Sequence, residues 1–184
     1  EASGGQVAGT SGIQDLGIWL KATALEQAIG TGKLSVHGVV GFSTPASNYL
    51  PDYAPFNLGL GCTEGSLRSI LQYQIKGLYL RTHAAYHLRS HCTIERDYYY
   101  TTQGYYSDKV NMPNAITYGA TLGGWLFKNS LQIEATYDGL NTQGGHDIRR
   151  QDVGFPSNRM IFNRVGGGFH YYFPTIKGLG VLAN

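Results

Sequence analysis

The sequence predicts an all-β fold, an antiparallel up-and-down transmembrane β-barrel. Two observations predict it. Along most of the chain, side chains alternate between apolar and polar with a period of two, which is the pattern of strands that have two different faces. The connections between the predicted strands are alternately short and long, and this alternation is typical of barrels in an outer membrane.

Composition agrees with a sheet protein that lacks a charged, water-facing surface. Only 14% of the 184 residues are charged, against about 25% in an ordinary soluble domain. Glycine (26 residues) and tyrosine (14 residues) are plentiful. The formal net charge of +2 and the absence of a Lys/Arg-rich run give no reason to expect nucleic acid as a partner.

The chain divides into a flexible segment, 1–12, and a barrel domain, 13–184. The first dozen residues are small and carry no periodic pattern. From Asp15 a first strand alternates, and the glycines of 30–33 predict its turn. The next strand, 34–42, directs an apolar set outward: Leu34, Val36, Val40 and Phe42.

The central hairpin, 66–90, shows the two faces most clearly. Its strands meet at a tight Lys76-Gly77 turn, and the first of them is predicted to begin near Phe56 with a bulge at 62–65. The second is predicted to run from Leu78 to about Tyr100. One face carries Leu67, Leu71, Tyr73, Leu78, Leu80, Tyr86 and Leu88, and the other carries Arg68, Gln72, Gln74, Arg81, His83, His87 and Arg89.

The second half repeats this organisation. A strand from Ile116 to Leu126 turns at Lys128-Asn129 into a strand from Leu131 to Asp138. A strand from Asn158 to Phe173 follows, and a last strand begins at Leu179. About eight strands are therefore visible, the last of them short, and we expect them to be part of a barrel of about 12 strands.

The connections favour this barrel over a soluble sandwich. Short connections are predicted at 30–33, 76–77, 128–129 and 174–178, and long ones at 44–55, 101–113 and 139–157. Tight turns on one side of a membrane and long loops on the other produce such strict alternation. Greek-key crossovers in a sandwich have no reason to produce it.

The polar face predicts a set of lumen-lining residues. Five cations and three anions on that face would favour anionic or polar solutes over cations. Alternatively, the charges neutralise one another and plug the interior, as in narrow barrels. The predicted lumen-lining residues are Lys21, His37, Arg68, Arg81, His83, His87, Arg89, Glu134, Asp138, Arg164 and His170.

No metal or catalytic site is predicted. His83, His87 and His91 have the spacing of a helical metal motif, but on a strand residues four apart are separated by about 13 Å, too far for one ion. His37 or His170 could serve a hydrolase beside a serine, yet no spacing pairs them. We therefore expect neither a cofactor nor an enzymatic activity.

Two features beyond the strands carry further predictions. Cys62 and Cys92 lie nearly opposite each other across the central hairpin, and we expect a disulfide between them if the bulge at 62–65 brings both to one face. Arg149, Arg150 and Asp152 are expected in an extracellular loop, where they could gate the mouth of the barrel, bind a partner or be ordinary solvated charges.

Several segments resemble a known family. FSTPASNYLPDYAPFNLGLG at 42–61, GLYLRTHAAYHLR at 77–89, NTQGGHDIRR at 141–150, GFPSNR at 154–159, RVGGGFHYYFP at 164–174 and KGLG at 177–180 resemble the outer-membrane transporter-like family named after the meta-pathway of phenol degradation. The resemblance implies a barrel in the outer membrane of a Gram-negative bacterium that passes small hydrophobic or aromatic molecules. It implies no catalytic residues.

Two functions are therefore expected for this sequence. The first is a channel or transporter for passive uptake of small molecules, with membrane lipids, lipopolysaccharide and a small-molecule solute as partners. The second is a non-conducting structural or accessory barrel that works with other outer-membrane proteins.

Overall fold

The structure, a computed structural model, describes residues 12–47, 59–94, 99–100, 106–145, 156–176 and 179–184. These residues form strands, turns and bends, so the predicted all-β class is confirmed. They contain no helix long and apolar enough to cross a membrane. Nearly all of the predicted flexible segment, 1–11, lies outside the described residues.

Eight strands form one antiparallel sheet. In sequence order they are β1 (Asp15–Ile29), β2 (Gly32–Pro45), β3 (Glu64–Ile75), β4 (Leu78–Arg89), β9 (Asn114–Leu126), β10 (Leu131–Gln143), β11 (Ile161–Tyr172) and β12 (Gly180–Ala183). Four short strands lie between β4 and β9: β5 (His91–Thr93), β6 (Tyr99–Tyr100), β7 (Tyr106–Ser107) and β8 (Lys109–Asn111).

The large sheet has the predicted up-and-down order. Each strand pairs with the next long strand along the chain, in the order β1-β2-β3-β4-β9-β10-β11-β12. The sheet does not close, because β1 and β12 are its two edges. The antiparallel meander is thus confirmed, whereas the closed barrel remains a prediction.

All the short connections lie at one end of the sheet. Gly30, Lys76 and Asn129 adopt left-handed φ angles of 60°, 51° and 69°, which tight turns require. The strand ends that the long connections join, 45 and 64, 89 and 114, and 143 and 161, lie at the opposite end. This arrangement confirms the predicted alternation of short and long connections.

Several strand boundaries differ from the prediction at the long-connection end. β3 begins at Glu64, and residues 59–63 fold as a bend rather than as a bulged strand from Phe56. β4 ends at Arg89, because the chain beyond it turns into β5, which pairs with β8. β10 extends to Gln143, past the predicted loop start at Gly139.

An unpredicted irregularity keeps the first strand in phase. The register between β1 and β2 shifts between Thr23 and Leu25. Beyond the shift Leu25 pairs with Val36, so both lie on the apolar face. The apolar alternation of the β1 sequence changes phase at this point. The bulge at Ala24 returns the apolar residue that follows it to the apolar face.

A cluster of buried apolar residues lies outside the large sheet. Three segments form a unit at the long-connection end, which we call the cap. They are the bend 59–63, residues 90–94 with β5, and residues 108–113 with β8. Its buried cluster consists of Cys62, Cys92, Ile94, Val110 and Met112, with Leu60 packed against it. The Ser90 N–H donates to the Thr63 carbonyl and the Thr63 N–H to Ser90 Oγ, which joins two parts of the cap.

The predicted disulfide is not formed. Cys62 and Cys92 are both thiols and both buried in the cap cluster. The prediction needed a bulged strand at 62–65, and the chain instead bends before β3 begins at Glu64. Burial raises the pKa of the Cys62 thiol to about 12.

Candidate functional site: the polar face of the sheet

The large sheet has two chemically different faces. Leu71, Leu80, Leu122 and Ile133, on four different strands, share one face and are 45%, 48%, 61% and 47% exposed. We call this the apolar face. The opposite face, here called the polar face, holds side chains that are bonded to one another. A sheet in water shows the reverse arrangement, with its apolar face buried.

The sheet register brings every predicted lumen-lining residue to the polar face. Cross-strand pairs such as His83 with Gly119 and Gly119 with Asp138 connect one strand to the next without a change of face. The full set on this face is Lys21, His37, Arg68, Arg81, His83, His87, Arg89, Glu134, Asp138, Arg164 and His170. Whether they surround a lumen depends on closure of the sheet.

The first ionic cluster lies towards the short-turn end. Arg81 Nη2 is 3.6 Å from Glu134 Oε1, and Gln132 Nε2 donates to the same oxygen at 2.7 Å. Tyr79, only 5% exposed, donates its hydroxyl hydrogen to Glu134 and accepts from Gln132 at 2.6 Å. A Cβ on Gly123 would collide with the Tyr79 ring, so glycine makes room for this network.

The second cluster lies in the middle of the sheet. Asp138 Oδ1 is 3.9 Å from His83 Nε2, and Asp138 Oδ2 accepts from Arg164 Nε at 3.3 Å. Gly119 separates β4 from β10 in this row, and a Cβ there would lie 2.5 Å from Asp138 Oδ1. The missing side chain lets the histidine and the carboxylate approach across an intervening strand.

The third cluster lies where the sheet meets the cap. Glu64 Oε1 lies 2.8 Å from His87 Nδ1, and Glu64 Oε2 accepts from Arg89 Nε at 2.8 Å. His87 Nε2 lies 3.0 Å from Thr117 Oγ1. The side chains of Glu64, His87 and Arg89 are 13%, 12% and 6% exposed, so this is the most buried charged group in the described chain.

Arg89 also anchors the cap. Its backbone N–H donates to Asn114 Oδ1 at 2.8 Å, and Nη1 donates to the Pro113 carbonyl at 3.5 Å. Asn114 is the first residue of β9, so Arg89 holds the point at which the chain returns from the cap to the sheet. The ion pair to Glu64 therefore connects β3, β4 and the start of β9.

Sequence reasoning missed Glu64 and Thr117 as members of this face. The position of Glu64 could have been predicted, because the Lys76-Gly77 turn places Glu64 opposite Arg89 in a regular hairpin. Thr117 pairs with Ala85 across β4 and β9. That register depends on the long connection 90–113, so no short turn fixes it.

The remaining predicted residues form no hydrogen bond or ion pair with these clusters within the described part of the chain. His37 Nδ1 is 3.0 Å from Thr23 Oγ1, and the His170 ring stacks on Tyr172 with centroids 4.0 Å apart. Lys21 and Arg68 are exposed and form no ion pair within the described part of the chain. Arg149, Arg150 and Asp152 lie outside the described residues.

The geometry offers no metal cluster. Among the described residues, no three His, Cys, Asp or Glu side chains converge in a way that could hold a metal ion. His83 and His87 lie two rows apart on β4, and His91 belongs to β5 in the cap.

Comparisons with known proteins identify no relative. No family model, no curated protein and no solved structure matches the chain. The resemblance drawn from the sequence segments thus remains a prediction, and the function must be argued from the two faces of the sheet.

Proposed function

We propose that this chain forms eight strands of an outer-membrane β-barrel that passes small molecules by passive diffusion. The observation that carries the proposal is the exposure of the apolar face. Leu71, Leu80, Leu122 and Ile133 lie on four neighbouring strands of the sheet and are about half exposed. Acyl chains would cover such a surface, whereas water would leave it as a large exposed apolar patch.

The polar face supports the same orientation. Its carboxylates at Glu64, Glu134 and Asp138 each contact a basic side chain. Polar side chains that satisfy one another are expected on the inner wall of a barrel, where lipid cannot reach them. A barrel with this orientation would enclose a hydrophilic passage.

Such a barrel requires strands that pair with β1 and with β11–β12. β12 pairs only with Phe169–Tyr172, so the outer edge of β11 has no strand partner from Ile161 to Gly168 within the described structure. Exposed backbone N–H and C=O groups are costly in a bilayer, and closure removes that cost. A barrel of about 12 strands would be wide enough for a passage.

A non-conducting accessory barrel is the alternative that a specific observation favours. The cap lies at the long-connection end and is fastened to the sheet through Arg89. A cap fastened in this way would close one mouth, and the cross-strand ion pairs would fill part of the interior. The barrel would then serve as a structural partner of other outer-membrane proteins.

We do not include catalysis in the proposal. Glu64, His87 and Thr117 follow one another as a carboxylate, an imidazole and a hydroxyl, which is the order of a nucleophile relay. Here Arg89 binds the second carboxylate oxygen, and only 12% of the His87 side chain is exposed. These contacts therefore join the strands to the cap, and they leave neither Glu64 nor His87 accessible to a substrate.

Adjacent residues on β3 provide the test of membrane orientation. Leu71→Cys and Gln72→Cys place single labels on opposite faces, and the native thiols are buried. In phospholipid vesicles, a spin label at 71 should be accessible to oxygen and one at 72 to a water-soluble nickel chelate. Equal accessibility of both labels to the nickel chelate would overturn membrane insertion.

Bilayer conductance separates the two candidate functions. The full-length protein reconstituted in a planar bilayer should conduct KCl, and vesicles that contain it should swell in small sugars and aromatic solutes. A protein that inserts by the spin-label criterion yet conducts nothing would favour the accessory barrel. Fractionation of the source membranes tests the outer-membrane location.

A further inference from the structure

One row of the polar face carries two cations without a counter-charge. Lys21 on β1 pairs with Val39 on β2, and Val39 pairs with Arg68 on β3. All three side chains point to the polar face, and the backbones of the outer two are about 10 Å apart, twice the spacing between strands. Lys21 and Arg68 are both exposed.

Carboxylates elsewhere on this face already contact other groups. Along the described polar face the acidic side chains engage local partners: Glu26 with Lys33, Glu64 with Arg89, Glu134 with Arg81, Asp138 with Arg164, and Asp15 with the backbone N–H of Leu60. Lys21 and Arg68 are thus the two strand cations on this face that a carboxylate does not offset.

The adjacent rows add no negative charge beside these cations. On β1–β3, the row towards the short turns holds Thr23, His37 and Ile70. The row towards the cap holds Trp19 and Ser66 beside Gly41, where the Trp19 ring and Ser66 Oγ occupy the space of a missing side chain. The surroundings offer hydroxyl and imidazole groups that can donate hydrogen bonds to an anion.

The two positive charges repel each other, and an anion between them would offset that repulsion by its attraction to both. The side chain between them is that of Val39, which is apolar and carries no charge that could offset the repulsion. Within the proposed barrel, where water is confined, their combined potential concentrates anions at this point. The ionic clusters on β4–β11 lack this property because their charges are matched.

We propose that Lys21 and Arg68 form a binding site for small anions on the inner wall, and that the site makes the passage selective for anionic solutes. The proposal rests on the proposed transport function and adds to it the class of solute. Anions would bind by charge attraction and by hydrogen bonds from the two basic side chains, weakly enough to leave again.

Trp19 offers a test that does not depend on conduction. Its side chain lies one row from Lys21, and only one other tryptophan, Trp125, needs replacement by Phe. In vesicles, iodide should quench Trp19 fluorescence with a quenching constant about threefold lower in Lys21→Gln/Arg68→Gln than in the parent. Neutral acrylamide should quench both proteins equally.

A charge-matched control locates the effect. Lys76→Gln/Lys128→Gln removes two positive charges from the short turns, which lie outside the strands. Iodide quenching should stay at the parent level in this control. An equal fall in both double variants, or no fall in Lys21→Gln/Arg68→Gln, would overturn the anion site.

Reversal potentials then connect the site to transport. Under a tenfold KCl gradient the parent should favour chloride, and Lys21→Gln/Arg68→Gln should shift the potential towards that of a non-selective pore. Unchanged selectivity in a conducting variant would overturn the role of the site in selectivity. A protein that never conducts but retains iodide quenching would overturn the transport function and leave the anion site standing.

Discussion

The cap and the large sheet differ in the exposure of their apolar side chains, which are buried in the cap and exposed on one face of the sheet. In the cap Val110 is 0% exposed and packs with Cys62 and Cys92, as in the core of a soluble protein. In the sheet Val165 is 82% exposed and Leu122 is 61% exposed. One chain thus buries its apolar groups at one end and exposes them along the sheet, and the proposed insertion of the sheet in a membrane would account for this difference.

Breaking the junction between the two regions should have the largest effect. Glu64→Gln removes the carboxylate that pairs with Arg89, whose side chain is 6% exposed and would remain charged. Leaving such a cation unpaired costs about 3–5 kcal/mol, so the urea midpoint of the protein in vesicles should fall strongly.

Glu26→Gln is the matched control for that substitution. The Glu26–Lys33 pair has the same 2.8 Å separation as the Glu64–Arg89 pair, but its side chains are 48% and 56% exposed. Solvent screens exposed pairs, so this variant should unfold at the parent's urea concentration. Equal losses in both variants would show that burial at the cap junction has no energetic consequence.

A charge on the apolar face tests the solvent of the sheet. Leu122→Arg places a cation near the middle of β9, where lipid contact predicts a loss of about 2–4 kcal/mol in unfolding free energy. Leu126→Arg, at the last residue of the same strand, should cost only about 0–1 kcal/mol. Urea unfolding from vesicles measures both. A loss below about 0.5 kcal/mol at 122, typical of a water-exposed site, would refute lipid contact.

The sequence predicted which face of the sheet each residue occupies better than it predicted which residues contact one another. A strand directs alternate side chains to opposite sides whatever its partner, so Arg81, Glu134 and Arg164 could be assigned to one face by period alone. Their pairing depends on register, which tight turns fix within a hairpin. The contact of Arg81 with Glu134 crosses from β4 to β10, and the long connection 90–113 leaves that register open.

The cap could not be predicted because its packing is irregular. Cys62 belongs to a bend, so strand parity could not predict the direction of its side chain. Val110 and Met112 are buried through the pairing of two three-residue strands, which are too short to show a period. Lys21 and Arg68 were assigned to the correct face, but their lack of a carboxylate partner emerged only from the full register.

A cavity in the cap should have a smaller and local effect. Val110→Ala removes two methyl groups from the centre of the buried cluster, and such a change costs about 2 kcal/mol. Hydrogen exchange of the paired Cys92 and Val110 amides should accelerate, whereas amides of β9 and β10 should not change. Val165→Ala on the apolar face should leave the cap amides at the parent rate. Faster exchange throughout the sheet would show that the cap and the sheet unfold as one unit.

Thiol chemistry should give the smallest change in stability and the most local readout. Burial raises the Cys62 pKa from 9.0 to about 12, so at pH 8 nearly all of Cys62 is the neutral, unreactive thiol. Iodoacetamide should modify Cys62 slowly in the folded protein and rapidly in urea. In the folded protein the reaction should be far slower than that of a Gln72→Cys thiol on the polar face.

Because the neutral thiol is the form that the fold favours, its contribution to cap stability should be lost as the pH rises from 9 towards 12. Reaction of Cys62 at the rate of the residue 72 thiol would show that the cap is open to water. A mass consistent with a disulfide in the absence of oxidant would show that the cap packs differently from the structure.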